Sequence, residues 1–112
     1  MSIYTDNWIE EHKEDMIDTL RGALRFRTLE GPAEEGAPFG RPVKDCLDYV
    51  LDKASRLDLS TRDLDGYCGI IDAGAGDQML GILAHLDVVP EGTGWDYDPY
   101  GAQIADGKKI GR

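Results

Sequence analysis

The chain has 112 residues, 41% hydrophobic and 30% charged, which is enough for one small globular domain and excludes a second complete one. Twenty-two acidic against twelve basic residues give a formal charge of −10, so nucleic acid and anionic membrane surfaces are excluded as partners by repulsion. The two cysteines, Cys46 and Cys68, form neither a Cys-x-x-Cys pair nor a disulfide-dense pattern, and Met1 to Asp6 lacks the basic and apolar regions of a secretory signal. A soluble protein of the reducing cytoplasm is expected, because the longest nearly apolar run, Met79 to Ala84, is far short of the roughly 20 residues that span a bilayer.

From Asp6 to Phe26 the apolar residues Trp8, Ile9, Met16, Ile17, Leu20, Ala23 and Leu24 recur at helical spacing. The pattern predicts an amphipathic helix capped by Asp6, with acids near its positive end and Arg21, Arg25 and Arg27 near its negative end. His12, among Glu10, Glu11, Lys13 and Glu14, falls on the solvated face. Gly31 to Gly40, broken by prolines and glycines, reads as a surface loop. After Pro42, Val43, Cys46, Leu47, Val50, Leu51, Ala54 and Leu57 predict a second amphipathic helix that stops near Leu57.

Beyond Leu57 the period shortens. Leu59 to Leu64 reads as an edge strand, Asp65-Gly66 as a turn, and Tyr67 to Ile71 as a second strand. Gly74-Ala75-Gly76-Asp77 reads as a hairpin turn, since no third glycine and no helix follow to support dinucleotide binding. Met79-Leu80-Gly81-Ile82-Leu83-Ala84 is apolar on both sides of the pleat, which predicts a central strand covered on both faces. Asp106-Gly107 between Ala102-Gln103-Ile104 and Lys109-Ile110 predicts a short hairpin. The fold class expected is α/β, two amphipathic helices packed on a short mixed sheet. With a central strand and nothing after Gly111-Arg112 to complete its sheet, the chain is expected to be truncated.

The stretch that carries chemistry is His85-Leu86-Asp87-Val88-Val89-Pro90-Glu91-Gly92-Thr93-Gly94-Trp95, directly after the apolar run. Residues i and i+2 of an extended segment share a side, so His85 and Asp87 can act together, either as a structural surface pair or as a metal ligand with a carboxylate fixing its orientation. Ligands collect at the carboxyl ends of strands in open α/β sheets, and this is such an end.

With its neighbours, the stretch resembles the signature of the zinc aminopeptidase, carboxypeptidase, aminoacylase and desuccinylase family. Its elements here are His85-Leu86-Asp87, Val88-Val89-Pro90, Gly92-Thr93-Gly94-Trp95 and Pro99-Tyr100-Gly101. The likeness runs on to Gly111-Arg112, departing at Lys108-Lys109-Ile110, where the family commonly has a single lysine. Upstream, Phe39-Gly40-Arg41-Pro42 and the first helix look like the PepV dipeptidase branch. The resemblance implies a two-zinc hydrolase in which a metal-acidified water, deprotonated by a glutamate, attacks a peptide carbonyl. Carried over by position, His85 would ligate one zinc and Asp87 would serve catalysis by orienting it. The family's segment with the bridging aspartate would begin at Gly111-Arg112, and the base, other ligands and lid domain come later.

Residues 1–112 are therefore expected to be the N-terminal part of the catalytic domain of a dipeptide-cleaving zinc enzyme. One ligand cannot hold a metal pair, so the chain alone is expected to be inactive. A deacylase or desuccinylase of the same family is the alternative within the class. Outside it stand a non-catalytic acidic module that binds a partner or self-associates through an exposed sheet edge, and a hydrolase completed by another chain. Asp63-Leu64-Asp65-Gly66 starts like a calcium loop, but the closing position is Gly74, and a turn is the reading kept. Asp96-Tyr97-Asp98 is read as a loop packed near the site, and Cys46 and Cys68 as small core residues.

Overall fold

The computed structural model describes residues 2–111, Lys109 by its backbone alone. The chain divides into two compact units, one of Phe26–Thr93 and one of Met1–Arg25 with Gly94–Arg112. The elements in chain order are α1 (Ile3–Leu24), α2 (Arg41–Arg56), β1 (Ser60–Leu64), β2 (Cys68–Asp72), β3 (Gln103–Ala105) and β4 (Lys108–Ile110). The α/β class is the one the sequence predicts, and all strand pairing is antiparallel, in two separate hairpins.

In the Phe26–Thr93 unit, α2 begins after Gly40 at φ 97°, with no side-chain cap and with Pro42 in its first turn, where a missing N–H leaves nothing unsatisfied. Gly40 is required there, because a Cβ would lie 3.2 Å from the Gly31 backbone. At the other end Asp58 takes a left-handed conformation, φ 60°, so that its N–H reaches the Ser55 carbonyl and the Leu59 N–H reaches that of Ala54. This pair of bonds satisfies carbonyls the helix would otherwise leave open, and it ends α2 where the sequence predicts.

Cys46, Leu47, Leu51 and Ala54 are the buried residues of α2 and lie on one stripe of it, against the β1–β2 hairpin. Burying each leucine removes apolar surface worth about 1.5–3 kcal/mol. Helix and hairpin meet closely at Gly69, where a Cβ would stand 2.8 Å from Leu51 and 2.9 Å from Leu47. The hairpin pairs Ser60 with Asp72 through Leu64 with Cys68 and turns at Asp65 and Gly66, both at positive φ. Phe39 meets the Tyr67 ring edge-on at 5.5 Å, and Phe26 packs against Tyr49 at the same separation.

The predicted central strand Met79–Ala84 is not found. These residues form no strand, make no backbone–backbone hydrogen bond among the described residues, and lie open to solvent, with Leu83 fully exposed and Met79, Leu80 and Ile82 nearly so. An apolar run states which residues gain by burial, but a strand needs a second backbone to pair with, and β2 ends its pairing at Asp72 with β1 alone. For the same reason Gly74–Asp77, with a bend at Gly76 and Asp77, is not the hairpin turn expected.

In the second unit α1 starts earlier than the sequence predicts. Its cap is Ser2, whose Oγ accepts the Thr5 N–H at 3.2 Å, and Asp6 lies inside the first turn, where its charge meets the helix dipole. Among its described residues none is buried: Ile9 and Ile17 are half-buried, while Trp8, Met16 and Leu20 stay exposed. His12 is half-buried, stacks on Trp8 at 4.0 Å and bonds through Nδ1 to the Trp8 carbonyl at 2.8 Å. The β3–β4 hairpin forms as predicted, with Asp106 and Gly107 at positive φ between Ala105 and Lys108. Ala102, wholly buried, presents its carbonyl to Arg21 Nε at 2.8 Å.

Candidate metal site

The His85–Glu91 stretch has no secondary structure of its own and is held by the chain that precedes α2. Thr28, 2% exposed, donates its Oγ1 hydrogen to the Leu86 carbonyl at 2.6 Å and accepts the Val88 N–H at 3.1 Å on its own carbonyl. Arg27 adds an ion pair to Glu91, Nη2 to Oε1 at 3.1 Å. The segment is thus fixed on both sides of Asp87 while the side chains of His85 and Asp87 stay 81% and 66% exposed.

The structure brings His85 and Asp87 together. His85 Nδ1 lies 2.9 Å from the Asp87 carbonyl oxygen and 3.3 Å from its Oδ1. Both neighbours are oxygens with no proton to give, so Nδ1 is the nitrogen that carries hydrogen, and in the neutral ring the lone pair sits on Nε2. A histidine held in this way has the tautomer and orientation of a metal ligand. The nearer partner is the main-chain carbonyl, which no side-chain substitution removes. Among the described residues no group of three His, Cys, Asp or Glu side chains converges to hold a metal ion. An open groove of about 500 Å³ runs beside it, lined by Val43, Leu47 and Leu51 of α2, by Tyr67 to Gly69, and by Ile82, Ala84 and His85.

Asp63 and Asp98 each hold a turn. Asp63 Oδ1 accepts the Gly66 N–H at 2.8 Å and Oδ2 meets Lys44 Nζ at 2.8 Å, and Lys44 also pairs with Asp48 one helical turn along α2. The Asp48 carboxylate, with that of Asp63, holds the Lys44 ammonium above its ordinary pKa, and Lys44 with the Gly66 N–H holds Asp63 below the usual carboxylate value. This cluster ties helix to hairpin turn, and the turn reading of Asp63 to Gly66 stands. Asp98 accepts the Tyr100 N–H on Oδ1 at 2.9 Å and the Gly101 N–H on its carbonyl at 3.0 Å. Burial pushes the Cys46 thiol up, which suits a core residue, whereas Cys68 is exposed and not in the core as expected. The sequence marks neither Thr28 nor Lys44 as part of a site, and it places Arg27 at the negative end of the first helix rather than on Glu91. Only Lys44 carried a readable signal, its spacing of four from Asp48.

No protein-family profile matches the chain. Curated proteins do match it. The chain is 39% identical over 106 residues to a protein of Staphylococcus haemolyticus, covering 93% of this chain and 23% of that protein, whose name is "putative dipeptidase". Over most of its length this chain is similar to proteins named putative dipeptidase. Of the other dipeptidase relatives, YtjP of Bacillus subtilis is 39% identical over 111 residues, or 95% of this chain and 24% of its own length. One from Staphylococcus aureus is 36% identical over 106 residues, 93% of this chain and 23% of its own. The chain therefore spans about a quarter of the length of the dipeptidase relatives it matches.

Proposed function

We propose that this chain is the N-terminal part of the catalytic domain of a PepV-type zinc dipeptidase, in which His85 ligates one of two metal ions through Nε2 and Asp87 orients the imidazole. The observation that carries the reading is the engagement of His85 Nδ1 by the Asp87 carbonyl and carboxylate, which leaves Nε2 as the ring nitrogen for a ligand. The names of relatives that match nearly the whole chain support a dipeptide substrate. A metal held by His85 with ligands from elsewhere would supply an acidified water for attack on the peptide carbonyl. This chain's own share is to fix one ligand nitrogen in place, to keep its tautomer, and to hold Asp87 beside it through the anchored peptides of Leu86 and Val88.

A three-ligand zinc site needs groups from elsewhere, so the chain by itself is proposed to be inactive. The test is to read the coding region past codon 112. Continuation with Gly-x-x-Asp-Asp-Lys-Gly and, further on, a Glu-Glu pair is the expected result, and a stop codon there would overturn the proposal. Zinc-dependent turnover of a dipeptide by the purified 112-residue chain would overturn the inactivity.

The exposure of Met79 to Leu83 favours a second reading, a module that self-associates by pairing this unpartnered segment. A single monomeric species by sedimentation at high concentration would exclude it.

A further inference from the structure

Among the described residues, one buried side chain outside the His85–Asp87 pair touches the segment that presents it. Thr28 is 2% exposed and stands where its hydroxyl meets the Leu86 carbonyl at 2.6 Å and its carbonyl meets the Val88 N–H at 3.1 Å. A residue in a parallel strand pair faces its partner by donating its N–H to the residue before and accepting from the residue after. Thr28 makes this pattern across from Asp87, with the hydroxyl in place of its N–H. The two bonds hold the peptide groups on either side of Asp87, and the first of them lies next to His85. Both Asp87 contacts to His85 Nδ1, at 2.9 and 3.3 Å, depend on the backbone torsions between these anchors.

We infer that Thr28 is a positioning residue for the metal ligand: its hydroxyl sets the His85–Asp87 geometry and so the readiness of Nε2 to bind a divalent cation. The inference rests on the metal reading for its function and, for its geometry, on the two Thr28 bonds and the two contacts of Asp87 to His85. The hydroxyl is the specific requirement, because Leu86 is half-buried and Thr28 is shielded, so water does not readily replace the donor. Serine preserves the bond, whereas valine keeps the shape and removes it. The Arg27–Glu91 pair cannot substitute for it, since it grips the chain at position 91, four residues past Asp87.

The experiment uses the uniformly 15N-labelled 112-residue chain, in wild-type, Thr28→Val and Thr28→Ser forms. The chain has two histidines, so His12, on α1, is the internal control. Without metal, Thr28→Val is expected to move the His85 ring signals and to speed Val88 amide exchange at least about tenfold, leaving His12 in place, while Thr28→Ser stays close to wild type. Titration with zinc chloride is then expected to show His85 affinity about 10-fold lower in Thr28→Val, the low end for loss of a group that orients a ligand. If Thr28→Val leaves the His85 signals and Val88 exchange unchanged, the positioning role is overturned, whether or not zinc binds. If those shift as expected but zinc leaves the wild-type His85 signals unmoved, the positioning stands and the metal reading fails. Should valine unfold the unit, seen by loss of the α2 amide signals, Thr28→Cys supplies the same comparison with a weaker donor of similar size.

Discussion

Gly66 offers a way to separate two costs that usually arrive together. It sits at φ 78° in the β1–β2 turn, and a Cβ there would lie 2.5 Å from the Gly36 carbonyl oxygen and 2.9 Å from Pro38 Cδ. Gly36 itself has nearly the same φ, 73°, but open space around it. Alanine at either position bears the left-handed penalty, about 1–2 kcal/mol. Only at Gly66 must the backbone of the preceding loop also move, which adds about 1–3 kcal/mol by the measure of overpacked sites. Gly66→Ala is therefore expected to cost about 2–5 kcal/mol and Gly36→Ala only the conformational part, about 1–2 kcal/mol. The assay is urea unfolding of both variants, read from α2 and β1–β2 amide signals and extrapolated to water. Equal losses in the two variants would refute the close approach and leave only the conformational term.

Asp63→Asn tests the helix-to-turn cluster through pH. The folded-state pKa of Asp63 is lowered, so its contribution is present above the unfolded value near 3.9 and is lost as pH falls through the folded value. The wild-type advantage over Asp63→Asn, about 1 kcal/mol at pH 7 for a partly buried pair, is expected to fade below pH ~4, and a difference constant to pH 2 in urea unfolding would contradict it. Lys44 is shifted upward, so its share persists to its ordinary value and is lost as pH rises beyond its folded value. Leu51→Ala is expected to cost about 2–5 kcal/mol of unfolding free energy and Leu83→Ser less than about 0.5, because one side chain is buried and the other fully exposed. In zinc titrations followed by calorimetry, His85→Ala is expected to abolish binding at this position. Asp87→Ala, which leaves the nearer carbonyl contact in place, is expected to weaken it about 10-fold, and unchanged affinity would remove the role given to that carboxylate.

The parts of this fold that were legible in the sequence are those decided by neighbours in the chain. α2 follows from an apolar stripe, and the Asp65-Gly66 and Asp106-Gly107 turns from residues that tolerate positive φ. α1 was legible in its period but not in its start, since Ser2 and Asp6 both cap well and the earlier one has the Thr5 N–H in reach. Met79 to Ala84 was misread because hydrophobicity records a tendency to be covered, while strand formation depends on a backbone partner that no residue pattern names. At the site, His85 and Asp87 were legible as a pair two residues apart. Their anchor was not, because Thr28 lies 58 residues from Leu86 and an isolated threonine carries no periodic signal.

The unpaired run from Met79 to Leu83 also shapes how this chain would live while being made. α2 and the β1–β2 hairpin meet through contacts close in sequence, so they can close as soon as they leave the ribosome. The apolar stretch that follows has no such local companion. During that interval it is an extended, sticky tether of the kind that chaperones hold and proteases cut, and Met79, almost wholly open to solvent, is a side chain where oxidants would leave their mark early.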